Sequence, residues 1–91
     1  MSNTAYYRKE GLITADMDGE TVMMDIETGK YYNLGKTGGS IWVIIEKPHT
    51  VDEIVDEMME IYDVERSVCE EQTKNFLAQL TNAGLAFKEE K

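Results

Sequence analysis

Apolar and polar residues alternate with a period of two along residues 22–34, which is typical of strands that cover one face. Glu27-Thr28-Gly29 interrupts the alternation, and its glycine stands where a three-residue hairpin loop needs a left-handed residue. The pattern therefore predicts a hairpin whose second arm, residues 30–34, keeps an edge that can accept another strand. The predicted covered positions are Val22, Met24 and Ile26 in the first arm and Tyr32 and Leu34 in the second.

A further strand is predicted upstream of this hairpin. Residues 11–17 lead into Asp18-Gly19, and an Asp-Gly pair between two apolar runs is a strong hairpin signal. The three strands together form an antiparallel meander. Residues 1–9 lack a pattern, so we expect them to fray, although Tyr6 and Tyr7 can pack on the sheet.

Residues 37–46 and 51–62 carry apolar residues at helical spacing. The first of these helices ends before Pro48, because the residue before a proline avoids the helical conformation. The second begins at a capping box, in which the Thr50 hydroxyl and the Glu53 carboxylate accept hydrogen bonds from backbone amides. The predicted core positions of the two helices are Ile41, Trp42, Ile44, Ile45, Val51, Ile54, Val55, Met58, Ile61 and Tyr62.

A third helix is predicted from about residue 65 to Ala83, where Gly84 supplies a left-handed cap and residues 85–88 add a short strand. Three strands followed by three helices indicate an α+β fold, a three-stranded antiparallel sheet followed by a three-helix, winged-helix-turn-helix-like bundle. We expect one domain over residues 1–91, ordered over about 6–88. The apolar positions of the third helix are Cys69, Thr73, Phe76, Leu77 and Leu80.

Two glycines and the six methionines give expectations about packing. Gly38 and Gly39 each weaken the first helix by about 1 kcal/mol relative to alanine, so we expect a close approach to the strands there. Six methionines are many for 91 residues, and methionine usually fills irregular gaps. Those expected in the core are Met24 and Met58, and those expected to be partly exposed are Met17, Met23 and Met59.

Charge narrows the classes of partner. Eighteen acidic residues against nine basic ones give a net charge of −9, and the chain after Lys36 carries −7 of it, twelve acids against five bases. The predicted third helix has three glutamates against Arg66 and Lys74, which excludes the phosphate contacts that duplex DNA requires. No apolar run reaches the roughly 20 residues of a membrane span or follows Met1 as a signal peptide would, so we expect a cytoplasmic protein that binds neither nucleic acid nor membrane.

The sequence lacks the residue sets that catalysis or metal binding needs. The single histidine, His49, lies in a loop, and the single cysteine, Cys69, falls on an apolar helix face and has no partner for an internal disulfide. Residues 35–39 lack the spacing of a phosphate-binding loop, and the acidic residues lack that of a calcium loop. We therefore expect a binding protein rather than an enzyme, with no cofactor and no metal.

An extended peptide fits the predicted free edge better than other ligands. It would pair with Tyr31–Leu34 through main-chain hydrogen bonds and place alternate side chains in a groove walled by a helix. Burial of two or three side chains at roughly 1.5–3 kcal/mol each must offset about 2–5 kcal/mol or more for ordering the peptide. Sub-micromolar to micromolar affinity follows.

Several short motifs stand in a distinctive order along residues 10–88. They are Asp25, Thr28-Gly29-Lys30-Tyr31-Tyr32, Leu34, Gly38, Ile41-Trp42, Thr50-Val51-Asp52-Glu53-Ile54, Leu80 and Ala83-Gly84-Leu85. In this order they resemble the PqqD-like family, also called the RiPP precursor peptide recognition element. The resemblance implies a non-catalytic domain that binds the leader of a ribosomally made precursor peptide. It also implies that the leader adds as a strand to the third predicted strand and packs against the third helix.

Carried to this chain, the resemblance implies a set of leader contacts on that strand and that helix, with Tyr32 the foremost. The strand contacts are Tyr31, Tyr32, Asn33 and Leu34, and the helix contacts are Cys69, Thr73, Phe76 and Leu77.

The chain is most similar to the discrete leader-binding proteins of lasso peptide pathways, which implies a leader peptidase and a modifying cyclase as partners. One alternative is a PqqD-type protein that presents its precursor to a radical SAM enzyme. An alternative of another class is a winged-helix regulatory or protein-docking module.

Overall fold

Two antiparallel three-stranded sheets and three helices make up residues 3–90, the part of the chain that this computed structural model describes. The predicted α+β class is confirmed, with the meander ahead of the three helices. The strands are β1 (Thr4–Arg8), β2 (Leu12–Met17), β3 (Glu20–Asp25), β4 (Tyr31–Leu34), β5 (His49–Thr50) and β6 (Ala86–Glu90). The helices are α1 (Gly35–Ile44), α2 (Val51–Ile61) and α3 (Arg66–Asn82).

The predicted meander is the sheet with strand order β2-β3-β4. Its first turn is Asp18-Gly19, where both residues have positive φ, 57° and 85°, as a two-residue hairpin turn requires. Its second turn is one residue longer than predicted, because the amide of Asp25 donates to the Lys30 carbonyl at 2.9 Å and leaves residues 26–29 as the loop. Gly29 has a φ of 73°, the left-handed conformation expected of it.

The predicted covered face of β3 is wrong. Met23 and Asp25 are buried, at 0% and 4% exposure, whereas Val22 and Met24 are half-buried and Ile26 is 58% exposed in the loop. Apolar residues occupy both faces of β3, so a period of two cannot decide which face meets the helices. The structure buries Asp25 because the Lys9 ammonium, 3.2 Å away, and backbone amides satisfy its carboxylate.

The prediction that the N-terminus frays is also wrong for the part that is described; Met1 and Ser2 lie outside the described residues. β1 pairs with β6 over five residues and with β5 at its other edge, forming the sheet β5-β1-β6. The predicted C-terminal strand is present and extends to Glu90, further than expected. These partners are more than forty residues from β1 in the chain, so no local pattern in residues 4–8 announces the pairing.

The predicted helix signals are confirmed, with α1 beginning two residues early. The Thr50–Glu53 capping box has both hydrogen bonds, at 3.2 and 2.8 Å, and Gly84 is left-handed with a φ of 74°. Gly39 packs against Thr21 of β3, as expected for a close approach. Ile61, predicted as core, is 59% exposed. The buried core is Met23, Ile41, Trp42, Ile45, Ile54, Val55, Met58, Cys69, Leu77, Leu80, Leu85 and Ala86.

Candidate functional site

The free edge of β4 is the first component of the candidate site. Within residues 3–90, β4 pairs with β3 on one side and with no strand on the other. Because Asp25 and Lys30 form a hydrogen-bonded pair and such pairs alternate along an antiparallel ladder, Tyr32 directs its main-chain groups at β3. Tyr31 and Asn33 therefore present their N–H and C=O groups to the free edge. These four groups are what another extended chain needs in order to join the sheet.

The second component is a contact between α1, α3 and the end of β4. A Cβ placed on Gly38 of α1 would lie 2.8 and 2.9 Å from two ring carbons of Phe76 on α3, and 3.4 Å from Cβ of Leu34. The Phe76 ring therefore lies directly on the Gly38 backbone, beside Leu34. Both side chains are only half-buried, so part of each apolar surface remains open next to the β4 edge.

The predicted contact residues fall into three groups. Tyr31, 73% exposed, and Asn33 point to the outer face of the sheet, away from the helices. Tyr32 and Leu34 point to the inner face, since Tyr32 is opposite buried Met23, and Phe76 joins them there half-buried. The remaining three, Cys69, Thr73 and Leu77, are buried in the core at 4%, 1% and 1% exposure. The structure thus brings Leu34 and Phe76 together at Gly38 and places Tyr32 on the same inner face of β4, and contact with a peptide stays a prediction for all eight.

Two residues outside the predicted contact set lie at or near this region: Gly38, whose nearest neighbour is α3 rather than the expected strand, and Gln72. The Phe76 ring packs against the backbone of Gly38, and α3 can come this close because glycine has no side chain. Gln72 is exposed and lies one helical turn before Phe76, on the same side of α3. Gln72 could have been found from the sequence, because it is four residues before Phe76 and therefore on the same side of the helix. No residue near Gly38 in the chain indicated which helix would pack against it.

Asp25 fixes the loop that leads into β4. Burial raises the pKa of its carboxyl, but the Lys9 ammonium and hydrogen bonds from the Glu27 and Thr28 amides outweigh that effect and hold the pKa below its usual range. A charged Asp25 thereby ties residues 27 and 28 to the sheet. The start of β4 is consequently held at the register that exposes its outer edge.

Arg66 holds the start of α3 against α2. Its guanidinium donates to Asp56 of α2 at 2.8 Å and to Glu70 of α3 at 3.1 Å. The hydrogen bond to Asp56 is the main reason that the pKa of Arg66 is raised. This exposed ionic contact links α2 to the start of the helix that carries Phe76.

Further features within residues 3–90 lie away from the β4 edge. A cleft of about 800 Å³ is lined by residues of both sheets and of α1, among them Tyr7, Leu12 and Trp42. Arg8, which also lines it, donates to the Trp42 carbonyl at 3.0 Å. His49 lies in β5 rather than in the predicted loop, and its Nε2 is 3.3 Å from Glu57 of α2. No group of three or more histidine, cysteine, aspartate or glutamate side chains within residues 3–90 could hold a metal ion.

None of the helices found between residues 3 and 90 combines the length and the apolar character needed to cross a membrane.

The fold is similar to that of solved proteins. One solved structure, TbiB1 in complex with the TbiA(beta) leader peptide, shares 31% identity over 88% of this chain and 93% of that one, with a TM-score of 0.74. Another, a lasso peptide synthetase B1 complexed with the leader peptide, has the same fold at 22% identity, covering 90% and 96% of the two chains with a TM-score of 0.74. No curated protein matches the chain.

The family comparison agrees with the resemblance found in the motifs. Residues 20–86 match the family model described as coenzyme PQQ synthesis protein D (PqqD). The matched range includes β3, β4 and all three helices, and hence Tyr32, Gly38 and Phe76. The chain belongs to the PqqD family.

Proposed function

We propose that this protein binds the leader segment of a ribosomally made precursor peptide and presents it to the enzymes that process it. The leader adds to β4 as a fourth strand of the sheet and places alternate side chains against Tyr32, Leu34 and Phe76. The observation that carries this proposal is the free edge of β4, with four unpaired main-chain groups beside a half-buried apolar surface. A relative at 31% identity is a complex with a leader peptide, which supports it.

Simple energetics agree with a binding role of modest affinity. Four main-chain hydrogen bonds contribute about 0.5–1.5 kcal/mol each, and two buried apolar side chains contribute about 1.5–3 kcal/mol each. Ordering a flexible peptide costs about 2–5 kcal/mol or more, and association carries its own entropic cost. The favourable terms total about 5–12 kcal/mol, and subtracting about 6 kcal/mol or more for the two costs leaves at most about 6 kcal/mol, a dissociation constant of tens of micromolar or weaker.

The partners of this binding step are a leader peptidase and a modifying enzyme, of the kind that lasso peptide pathways use. The protein itself acts without catalysis, by holding the leader while the rest of the precursor reaches the enzyme. A radical SAM enzyme as the partner would use the same binding step. The two alternatives are distinguished by measuring which purified enzyme processes the precursor faster when the protein is added.

The test separates the β4 main chain from its side chains. Tyr31→Ala removes the side chain but keeps the outward amide, whereas Tyr31→Pro removes the amide that faces the peptide. Each variant is titrated with a fluorescently labelled leader peptide encoded beside its gene, and circular dichroism checks the fold. We expect Tyr31→Ala to bind within about threefold of wild type and Tyr31→Pro to lose roughly tenfold or more.

A second control uses the peptide rather than the protein. N-methylation of leader residues at every second position blocks the amides that face β4, and methylation at the intervening positions leaves them free. Only one of the two series should lose affinity. Equal affinity for both series, together with normal binding by Tyr31→Pro, would exclude strand addition at β4.

A further inference from the structure

Acidic residues are absent from two long segments of this acidic chain. Residues 28–45 and 72–88 contain two lysines each and no aspartate or glutamate, a combined charge of +4 over 35 residues. The other 56 residues hold all eighteen acids against five bases, a charge of −13. At the average frequency of the chain, 35 residues would contain about seven acids, so the net charge of −9 is distributed very unevenly.

The two acid-free segments border the free edge of β4. Residues 28–45 include β4 and α1, and residues 72–88 include the part of α3 that carries Phe76. Gln72 and Gln79, about one turn before and after Phe76, are exposed neutral amides. These segments therefore place no carboxylate beside a peptide that adds to β4.

Lys30 immediately precedes β4, and Lys36 follows its last residue by two positions. Both side chains are exposed, and no ion pair involves either ammonium in the part of the chain from residue 3 to residue 90. Asp25, which is opposite Lys30 in the hairpin, has its carboxylate held by the Lys9 ammonium at 3.2 Å. The ammonium groups of Lys30 and Lys36 are therefore available to a ligand that lies along β4.

The local charge beside β4 differs in sign from that of the whole chain. The other two lysines of the acid-free segments, Lys74 and Lys88, line a separate cleft together with Asp52 and Glu70, which offset their charge. Around β4, residues 26–45 carry +1 even when Glu27 of the preceding loop is counted. Exposed charges more than about 10 Å apart are largely screened at about 0.1 M salt, so this local charge acts on a bound peptide more strongly than the distant acids do.

We propose that the leader segment bound at β4 is acidic, with an aspartate or glutamate at each end of the paired stretch, one beside Lys30 and the other beside Lys36. The inference rests on the proposed function and goes further by naming the chemical class of the peptide. Residues 30 and 34 of an extended strand are about 14 Å apart, so the two carboxylates stand about four to six residues apart in the leader. The residues between them are apolar where they contact Leu34 and Phe76.

Two double variants of equal charge test the inference. Lys30→Glu with Lys36→Glu reverses the two cations beside β4. Lys47→Glu with Lys74→Glu is the matched control, because Lys47 is exposed beyond the far end of α1 and Lys74 lines the separate cleft. Each pair of substitutions lowers the net charge from −9 to −13. The labelled leader peptide encoded beside the gene is titrated by anisotropy, and circular dichroism checks the fold.

The expected losses follow from the strength of exposed ion pairs. One such pair changes affinity by about 1.4- to 5-fold, and charge reversal replaces attraction by repulsion. We therefore expect the variant with Lys30→Glu and Lys36→Glu to lose about tenfold or more in affinity at low salt, and the control to stay within about threefold. The difference should shrink at high salt, because salt screens exposed charges.

The peptide offers the reciprocal change. A leader whose aspartates and glutamates are replaced by lysine should bind the variant with Lys30→Glu and Lys36→Glu more tightly than it binds wild type. A purely structural role of the two lysines would not produce this exchange of preference.

Three results would count against the inference or against the function beneath it. Equal losses in the two double variants, or unchanged affinity in the variant with Lys30→Glu and Lys36→Glu, would overturn the inference. If Tyr31→Pro still loses binding in that case, the proposed function stands. Failure of wild-type protein to bind the leader would refute the proposed function and the inference together.

Discussion

Replacing Gly38 by alanine tests whether the contact between α1 and α3 shapes the peptide groove. The added Cβ would stand 2.8 and 2.9 Å from two carbons of the Phe76 ring, whereas carbon atoms attract best at about 3.5–4.0 Å. The ring must therefore move by about 0.6–1.2 Å. Phe76 is half-buried, so its ring has room to move, and Leu34, the last residue of β4, lies against the same glycine.

The stability change should be small because two effects oppose each other. Alanine favours a helix over glycine by about 1 kcal/mol, and overpacking costs about 1–3 kcal/mol. The free energy of unfolding should fall by roughly 0–2 kcal/mol. Binding should change more, because the displaced ring takes the place of a peptide side chain worth about 1.5–3 kcal/mol, which raises Kd about tenfold or more.

Anisotropy titration with labelled leader and urea unfolding measure the two quantities. Thr37→Ala, an exposed position in the same helix, is the control and should change neither. Gly38→Ala with Phe76→Leu should recover part of the lost stability, since the ring is gone. If Gly38→Ala keeps the wild-type Kd while its unfolding curve shifts, the groove does not lie beside Gly38 and Phe76.

Three further predictions concern the framework of the site. Met23→Ala should destabilise the fold by about 2–5 kcal/mol in urea unfolding and Met24→Ala by much less, because only Met23 is fully buried; equal losses would contradict the assigned face. Thr50→Ala should cost about 0.5–2 kcal/mol through loss of the cap at α2, as thermal unfolding will show, whereas Thr37→Ala should not. The folded-state pKa of Asp25 lies below its ordinary value of 3.8. The stability that this carboxylate contributes is therefore present above pH 3.8 and is lost as the pH falls through the folded pKa. Lys9→Met, which removes its ammonium partner, should make the stability depend less on pH in this acidic range.

The family and the free edge of the sheet were accessible from sequence because they depend on local chemistry. The Asp18-Gly19 turn, the Thr50–Glu53 capping box and the Gly84 cap each act through backbone groups within a few residues. Together they define the order of strands and helices. The free edge of the last strand of the meander follows from that order, since a meander leaves its outer strands unpaired on one side.

The sequence did not decide which of the predicted contact residues remain open at the surface. On α3, the sequence marked one apolar stripe, and burial divides it into core (Cys69, Thr73 and Leu77) and a half-open residue, Phe76. An apolar stripe is wider than the surface that a neighbouring helix covers. The angle at which the helices pack therefore decides which residues at the edge of the stripe become buried. Gly38 helps to set that approach, through a contact that joins residues 38 positions apart.

Sequence alone determined the meander, the three helices, their caps and the acidic character of the chain, because these depend on residues close together or on composition. Tertiary structure alone decided that residues 4–8 form the centre of a second sheet and that Met23 rather than Met24 faces the core. The physical reason is the same in both cases. Strand partners and buried faces are selected by surfaces that arrive from distant parts of the chain, and a strand apolar on both faces carries no mark of which face they will cover.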